Sequence, residues 1–405
     1  MSHKPRHNDK LKALVIVQGG ATQFDGPFYR FLEQEGQLSV AVYYTNSAMA
    51  FHPYDPELSR ESEWDHDVHS GYRFKVYPKS MLRRVQTSLT IVLNRPGLII
   101  LSGWRSADNL MILLTALLMR VPVGIRLDNT LKCNEGRTSR SRLRTFLLRS
   151  LLKLFATGHP VGTLASEYLQ FNGFDSRRIF LFPYLVDSDL LTGLCRQSRV
   201  RRISMREEYG IEPGAFVFLG VMKFVEREDP RTLVEAFQEL MADQSHKVAA
   251  HLILVGDGEL RPQIEAWIHE KKVRNIHLPG YVAYTRLPGF FAISDVLIHT
   301  ATRESWGVTV NEAIVCDLPV LAADTVGSGR DLIEEGVNGF TFPAGDSRAL
   351  AECMRRILEE PGLSDSLKAN CQTPARLEHF TYSATQKALG SAIAFVSAHN
   401  GASQA

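Results

Sequence analysis

The chain has 405 residues, of which 44% are hydrophobic and 22% charged, and this composition is typical of a globular protein with two or three domains. Residues 1–12 are polar and basic, and the longest apolar run, residues 110–119, is too short to span a bilayer, so neither a signal peptide nor a membrane helix is predicted. The five cysteines lack the paired spacing of a disulfide framework or a zinc site. A cytoplasmic protein is therefore expected.

Positive charge is concentrated in the first part of the sequence. The formal net charge is +8 for residues 1–187 and −6 for the remainder. Residues 136–153 contain six basic side chains and no acidic one, interleaved with leucine and phenylalanine, which is the pattern of a basic amphipathic helix. We expect the segment from Arg140 to Phe155 to face an anionic membrane surface or a charged acceptor, although a core helix with a solvated basic face fits equally well. No nucleic-acid partner is expected.

The first half of the chain alternates between strand and helix patterns. Apolar runs at residues 11–18, 39–44, 97–101 and 122–126 predict buried parallel strands. Gly19 and Gly20 follow the first strand, where a glycine pair lets the backbone approach a ligand, although a plain tight turn explains the pair as well. Residues 51–72 have no clear periodicity and predict an irregular loop over a cleft, with its histidines on the surface rather than on a metal.

The second half repeats this alternation after a polar, arginine-rich stretch, residues 196–208, that is predicted to be a linker. Strand patterns at residues 216–220, 251–255, 276–278, 296–299 and 319–322 are separated by helix patterns. The restart of the pattern predicts an α/β protein with two Rossmann-like domains, residues 1–187 and 188–375. Residues 376–405 are predicted to form a helix that packs back on the first domain.

The most informative stretch begins at the apolar run of residues 296–298. It breaks at Glu304 and resumes as a helix pattern that contains Glu312. Two carboxylates therefore flank a strand-to-helix turn, and the glycine bend between them is expected to aim both into one cleft. The N–H groups at a helix start favour a phosphate. A carboxylate pair beside a phosphate cradle predicts a sugar-nucleotide site, whereas the spacing alone also fits two solvated glutamates.

The nine residues from Glu304 to Glu312, E-S-W-G-V-T-V-N-E, resemble the E-x7-E motif of retaining glycosyltransferase family 4, within the group 1 glycosyl transferases. Three glycine turns in the second half, at residues 256–258, 280–282 and 327–329, resemble further motifs of that family in the same order. The resemblance implies the GT-B fold, in which two Rossmann-like domains face one another across a cleft and a C-terminal helix returns to the first domain. It also implies a metal-independent retaining transfer of a hexose from a nucleoside diphosphate sugar to a glycan, lipid-linked or small-molecule acceptor, without a cofactor.

Roles for individual residues follow from the resemblance and from charge. Glu304 is expected to accept hydrogen bonds from the hexose, and Glu312 from the ribose. Many family members carry a histidine at the position of Asp128, so Asp128 is predicted to face the donor sugar instead. The remaining expected donor-binding residues are Tyr281 and Val282 beside the base, and Ser305, Trp306, Gly307, Val308 and Thr309 around the diphosphate.

The phosphate clamp departs from the family pattern. The family normally carries a basic residue and, five positions later, a lysine; this chain has Lys223 and then Glu228. A carboxylate about 4 Å from a phosphate charge costs on the order of 4 kcal/mol at an effective dielectric near 20. Either Arg227 completes a Lys223–Arg227 pair while Glu228 turns away, or the donor site is lost and the protein is a non-catalytic sugar-nucleotide-binding relative. The retained glutamates favour the first alternative, in an enzyme on the inner face of the cell membrane or free in the cytoplasm.

Overall fold

Two six-stranded parallel sheets form the framework of the computed structural model, which describes residues 13–51, 54–58, 60–61, 64–131, 142–242 and 248–402. In each sheet the first and fourth strands are neighbours at the centre, with the second and third on one side and the fifth and sixth on the other. This is the strand order of a Rossmann fold, in which ligands bind at the carboxyl ends of the strands where the order reverses. The predicted α/β class with two Rossmann-like domains is confirmed.

The first domain contains the sheet β5-β2-β1-β6-β7-β8 and a two-stranded hairpin, β3-β4. Its elements in chain order are β1 (Ala13–Gln18), α1 (Asp25–Glu35), β2 (Ser39–Tyr44), α2 (Ser47–Phe51), β3 (Tyr54–Asp55), β4 (Arg60–Glu61), β5 (Phe74–Val76), α3 (Met81–Leu93), β6 (Leu98–Ser102), α4 (Ala107–Met119), β7 (Val123–Leu127), α5 (Arg142–Leu152), β8 (Thr157–Pro160) and α6 (Thr163–Phe171).

The second domain contains the sheet β11-β10-β9-β12-β13-β14. Its elements, with the helices that precede and follow it, are α7 (Ser188–Val200), α8 (Arg202–Glu207), β9 (Phe216–Val221), α9 (Pro230–Ala242), β10 (Ala250–Val255), α10 (Arg261–Lys271), β11 (Ile276–Gly280), α11 (Leu287–Ile293), β12 (Val296–His299), α12 (Val308–Val315), β13 (Val320–Ala323), α13 (Gly327–Leu332), β14 (Gly339–Phe342), α14 (Ser347–Glu359), α15 (Leu363–Ala369) and α16 (Tyr382–Ala402).

The first sheet is covered on both faces because its central strands, β1 and β6, are apolar at every position except the last. Leu14 and Ile16 of β1 pack toward α1 and α16, whereas Val15 and Val17 pack toward α3, α4 and α5. Side chains of a strand alternate between faces, so an unbroken apolar run fits only a sheet buried on both sides. The aromatic ring of Tyr382 lies 5.5 Å from that of Phe28, which confirms that the last helix returns to the first domain.

The arginine-rich stretch at residues 196–208 is not a linker, because it lies within α7 and α8. Its arginines are structural: Arg206 is buried, pairs with Asp295 at 2.8 Å and donates to the carbonyl of Ile293 at 2.8 Å, while Arg202 also pairs with Asp295. Buried charges of this kind are tolerated only when paired and hydrogen-bonded. Among the described residues, the helices lack the combination of length and apolar character required to cross a bilayer.

Candidate active site

A cleft of about 720 Å³ is lined by residues of both domains. The second domain contributes the segments that follow β9 and β12, which are neighbouring strands at the point where the strand order reverses. The first domain contributes Asp128 and Tyr184 and part of a loop between β3 and β5. The sequence prediction of a ligand site at the carboxyl ends of the second sheet therefore coincides with the observed cavity.

Lys223 lines the cleft two residues after β9 ends, and the backbone around it is held by the glycine turn after β10. A Cβ atom added to Gly256 would lie 1.8 Å from the carbonyl oxygen of Met222, and one added to Gly258 would lie 2.6 Å from that of Phe224. Both glycines also have positive φ angles, 143° and 152°. Only glycine fits both the conformation and the contact, so the Gly256–Gly258 turn fixes the position of the lysine.

Arg227 and Glu228 lie on a tight turn that the segment after β12 supports. The hydroxyl of Thr300 donates to the carbonyl of Glu228 at 3.0 Å, and the N–H of Thr302 donates to that of Arg227 at 2.9 Å. The Arg227 guanidinium points into the cleft and contacts Glu228 at 2.7 Å and Glu304 at 3.2 Å. Glu228 is buried, and this burial raises the pKa of its carboxyl.

Glu304 lines the cleft and shapes the loop that follows it. Its carboxylate accepts a hydrogen bond from the N–H of Trp306 at 3.2 Å, and the chain then turns at Gly307, whose φ is 89°. Ser305, Trp306 and Gly307 line the cleft together with the first two residues of α12. The expectation that the N–H of Trp306 meets a diphosphate is not met in this structure, because Glu304 already accepts its hydrogen. Val308 and Thr309 also line the cleft, and the diphosphate contacts expected of their N–H groups stay predictions.

Glu312 is positioned differently from the prediction that both glutamates point into one cleft. It lies within α12, is only 3% exposed, and is not among the residues that line the cavity. Burial raises the pKa of its carboxyl to about 7. Glu312 lies one helical turn after the cleft-lining Val308 and Thr309. Its side chain therefore packs behind the loop and does not form the surface of the cleft.

Asp128, Tyr281 and Val282 all line the cleft, and the donor contacts expected of them stay predictions. Asp128 accepts a hydrogen bond from the Tyr184 hydroxyl at 3.2 Å, which orients its carboxylate at the end of β7. Arg126, two residues earlier, is buried: it pairs with Asp25 at 2.8 Å and donates to two backbone carbonyls of the segment that connects the domains. The sequence does not indicate that Arg126 joins β7 to α1, because Arg126 and Asp25 are 101 residues apart.

Gly19 and Gly20 do not line the cleft. A Cβ atom at Gly20 would lie 2.3 Å from the carbonyl oxygen of Met49, so α2 occupies the space that a ligand was expected to fill. The glycine pair allows close packing of two chain segments instead. The second interpretation of the pair, a structural turn, is the one that the fold supports.

A loop of the first domain crosses the cleft, and we call its residues 54–58, 60–61 and 64–69 the strap. Glu57 forms a two-pronged ion pair with the guanidinium of Arg227, at 2.9 and 2.8 Å, and contacts Lys223 at 2.7 Å. Asp55 contacts the same lysine at 2.7 Å. Hydrogen bonds from Arg227 and Lys223 lower the pKa of Glu57 to about 2. The predicted loop over the cleft therefore exists and reaches the basic residues of the opposite wall.

The far end of the strap is attached to the second domain as well. Asp65 accepts hydrogen bonds from the backbone N–H and the hydroxyl of Thr285, at 2.8 and 2.6 Å. The His66 ring stacks on that of Tyr284, with centroids 4.7 Å apart. The expectation that this histidine is a surface residue is wrong, since its side chain is only 9% exposed. His52 lies outside the described residues.

The described residues include one group of side chains with the spacing of a metal site: ligand atoms of Glu228, His299 and Glu304 lie within 4.8 Å of one another. The Arg227 guanidinium contacts both carboxylates, so this arginine supplies the positive charge that balances them. The Nδ1 atom of His299 is buried without a hydrogen-bond partner. Any metal at this position would have to displace the arginine.

The loop that carries Glu304 is also packed against the first domain. Trp306 is 2% exposed, and a Cβ atom added to Gly162 would lie 2.2 Å from its indole ring. The adjacent Thr163 donates its N–H to Asp331 at 2.8 Å, and its hydroxyl bonds the same carboxylate. The two domains therefore contact each other beside the loop that carries Glu304.

Comparison with known proteins supports the relationship that the motifs indicate. Residues 201–373 match the family model described as glycosyl transferases group 1. The D-inositol 3-phosphate glycosyltransferase of Xylanimonas cellulosilytica is 28% identical over 221 residues, which cover 52% of this chain and 50% of that protein. The alpha-D-kanosaminyltransferase of Streptomyces kanamyceticus is 24% identical over 175 residues, or 43% of this chain and 44% of that protein. The matched regions thus span about half the length of these relatives.

Solved structures match over nearly the whole chain. Anabaena HepE in complex with UDP has a TM-score of 0.69 at 17% identity, covering 95% of this chain and 99% of that one. A glycosyltransferase from Rickettsia africae has a TM-score of 0.71 at 13% identity, covering 96% and 99%. At these identities the likeness shows the fold. The chain therefore has the GT-B fold of known glycosyltransferases, and its second domain is similar to the group 1 glycosyl transferases.

Proposed function

We propose that this protein is a retaining glycosyltransferase that moves a sugar, a hexose in the first instance, from a nucleoside diphosphate donor to an acceptor. The observation that carries the proposal is the meeting of Lys223, Arg227 and Glu304 on one wall of the cleft, at the reversal point of the second sheet. Two cations there match a diphosphate, and a carboxylate beside them matches sugar hydroxyls. Positioned charges of this kind stabilise a departing diphosphate without a bound metal.

The relatives support a nucleotide donor. HepE, whose fold resembles that of this chain, was solved with UDP and with UDP-glucose. We therefore take a uridine nucleotide as the first donor to test. The acceptor enters from the first domain, beside Asp128, Tyr184 and the strap.

A non-catalytic nucleotide-sugar-binding protein is the second candidate, and Glu228 is the observation that favours it. This carboxylate stands where the family pattern has a lysine, and it is buried beside the clamp. Glu228 pairs with Arg227 at 2.7 Å, which offsets its charge and weakens this objection. The same contact supports the proposal that Arg227 takes the role of the missing lysine.

A panel of nucleotide sugars separates the two candidates. Binding of the right donor should raise the unfolding temperature in proportion to its occupancy, and an enzyme should also hydrolyse that donor slowly when no acceptor is present. Stabilisation without hydrolysis or transfer to any acceptor indicates the binding protein. A panel that neither stabilises the chain nor is consumed contradicts both. Repeating the hydrolysis assay with a chelator tests the expected independence from metal.

We further propose that the outer surface of α3, α4 and α5 docks on an anionic membrane. These helices lie on one face of the first sheet, and their outward sides carry most of the exposed large apolar side chains of the described structure. The exposed apolar residues on or beside the three helices are Met81, Leu82, Leu89, Leu93, Leu110, Leu114, Leu117, Leu118, Leu143, Phe146, Leu147 and Leu154. Exposed apolar side chains concentrated on neighbouring helices support an interaction site, whereas single scattered ones are ordinary surface.

Charge identifies the partner of this surface. Arg83, Arg120 and Lys153 are exposed beside the apolar side chains. In residues 78–127 and 142–155, which are both described, the single acidic residue is Asp108, and it is buried and paired with Arg84. Apolar side chains among basic ones fit the headgroup region of an anionic bilayer, where each nearby lysine or arginine contributes about 1 kcal/mol. The predicted basic amphipathic helix, observed as α5, is thus one of the three helices that form this surface.

Vesicle flotation tests this docking surface. The protein should float with phosphatidylglycerol vesicles and bind several-fold less to phosphatidylcholine vesicles. Leu118→Glu and Phe146→Glu, at side chains 87% and 66% exposed, should abolish flotation. Val200→Glu is the matched control, since that side chain is also 87% exposed but lies outside the patch.

Equal binding to both lipids, or full binding by the two patch variants, contradicts membrane docking. A patch that instead holds a second copy of the chain will reveal itself as a dimer in sedimentation, which Leu118→Glu dissociates without any effect of lipid.

A further inference from the structure

The strap places two carboxylates of the first domain on the two cations of the second. Glu57 lies across the guanidinium of Arg227 and reaches the ammonium of Lys223, while Asp55 takes a second position on the lysine. No other acidic side chain among the described residues forms an ion pair with Lys223. The cations that face the cleft are thus covered by acidic groups from the opposite wall.

The geometry of these contacts is that of a bound phosphate. A guanidinium presents the same paired N–H donors to a carboxylate as to two oxygens of a phosphate, and a lysine ammonium binds either as a point charge. Glu57 accepts from Nε and Nη2 of Arg227 with one carboxylate, and its Oε2 atom is shared with Lys223. The strap therefore reproduces, with side chains, the contacts that a diphosphate would make.

The charges at the site also indicate that a diphosphate would replace the carboxylates of the strap. Lys223 and Arg227 face four carboxylates: Asp55, Glu57, Glu228 and Glu304. A diphosphate diester carries one negative charge on each phosphate, so its entry beside all four would crowd like charges. If it replaces Asp55 and Glu57, the number of negative charges around the two cations is unchanged. Exchange is therefore favoured over simple addition.

The strap is built so that this exchange needs only a local movement. Asp55 and Glu57 lie at a two-stranded hairpin, β3-β4, and hairpins of this size have little stability of their own. Asp55 also accepts the N–H of Glu57 at 3.0 Å, so the two carboxylates move with one turn. The other end remains attached through Asp65 and Thr285.

We propose that the strap is a self-inhibitory plug: Asp55 and Glu57 occupy the diphosphate position, and the donor must displace the hairpin in order to bind. The inference rests on the proposed function for the identity of the displacing ligand. It explains how a cleft with two exposed cations avoids binding unrelated phosphates, since a ligand has to replace both carboxylates and make further contacts with the cleft.

Affinity for UDP measures the competition. Glu57→Gln removes one competing charge and keeps the size of the side chain, so UDP should bind about tenfold more tightly than to the wild type, as expected for loss of a charge-assisted contact that opposes binding. Asp67→Asn is the matched control, because this exposed carboxylate of the strap bonds His69 and Ser70 and does not reach the clamp. It should leave the UDP affinity unchanged. Unchanged or weaker UDP binding by Glu57→Gln overturns the plug.

Limited proteolysis with a chymotrypsin-type protease, which cuts after Tyr54 and Leu58, provides a readout that does not depend on sugar transfer. Inorganic pyrophosphate should accelerate cleavage of the wild-type hairpin several-fold, and Glu57→Gln should be cleaved rapidly without it. If pyrophosphate releases the hairpin while no nucleotide sugar binds, the plug stands and the proposed function fails. If UDP binds but neither ligand changes cleavage, the plug fails and the proposed function stands.

Discussion

Arg227→Ala should raise the donor dissociation constant by about tenfold or more. The arginine provides the second cation of the clamp, and a charge-assisted hydrogen bond contributes roughly 1.5–3 kcal/mol, or about one to two powers of ten in affinity. The substitution also leaves Glu57, Glu228 and Glu304 without the guanidinium that balances them. These carboxylates would then repel the diphosphate, which adds to the loss. Isothermal titration with the donor identified by the panel measures the constant.

Arg303→Ala is the control for this experiment. Arg303 is an exposed arginine beside the same turn and borders a neighbouring cavity rather than the cleft that contains Lys223. It should change the affinity by less than about twofold, consistent with the small effect of exposed charges. Equal affinities for the wild type and Arg227→Ala would show that the clamp is wrongly assigned.

Glu304→Gln should lower the turnover number by about ten- to a hundredfold with a smaller change in donor affinity. Glutamine keeps an oxygen that can accept the Trp306 N–H, so the loop retains its shape, while the charge beside Arg227 and the sugar is removed. A loss of one charge-assisted interaction in the transition state corresponds to roughly 1.5–3 kcal/mol. Steady-state kinetics at saturating acceptor separates the turnover number from the Michaelis constant.

Glu312→Gln is the companion variant, and it tests whether Glu312 contributes to donor binding. Glu312 is buried behind the loop with a raised pKa, so a neutral side chain of the same shape disturbs its surroundings little. The prediction that Glu312 binds the ribose requires the Michaelis constant for the donor to rise by about tenfold with a modest loss of turnover, whereas a carboxylate that stays buried behind the loop leaves this constant unchanged. Identical kinetic profiles for the two variants would remove the division of roles between the glutamates.

The framework of the fold was predictable because parallel strands buried on both faces leave an unbroken apolar pattern. The run at residues 296–299, for example, is both the predicted strand and the observed β12. The glycine turn at residues 256–258 was likewise visible, since close backbone approach requires glycine in any context. Both signals depend on residues that are close together in the chain, so they can be read from a single sequence.

The contacts that decide the site were not predictable from local patterns. Glu57 and Arg227 are 170 residues apart, and neither residue indicates its partner. The polar, arginine-rich composition of residues 196–208 predicts a linker, whereas Arg206 is buried and paired with Asp295, which is nearly ninety residues away. Gly20 shows the same limit: its sequence context fits a ligand, and its actual neighbour is the backbone of Met49.

The packing of Trp306 between the domains has a mechanical consequence. The indole lies against the backbone of Gly162 in the first domain, while the backbone N–H of the same residue is bonded to Glu304 in the second. A rotation of one domain relative to the other therefore shifts the tryptophan, and with it the carboxylate on the cleft wall. This side chain therefore couples the two domains, as the strap and the Thr163–Asp331 contact also do, so that the interdomain angle and the geometry of the cleft wall change together.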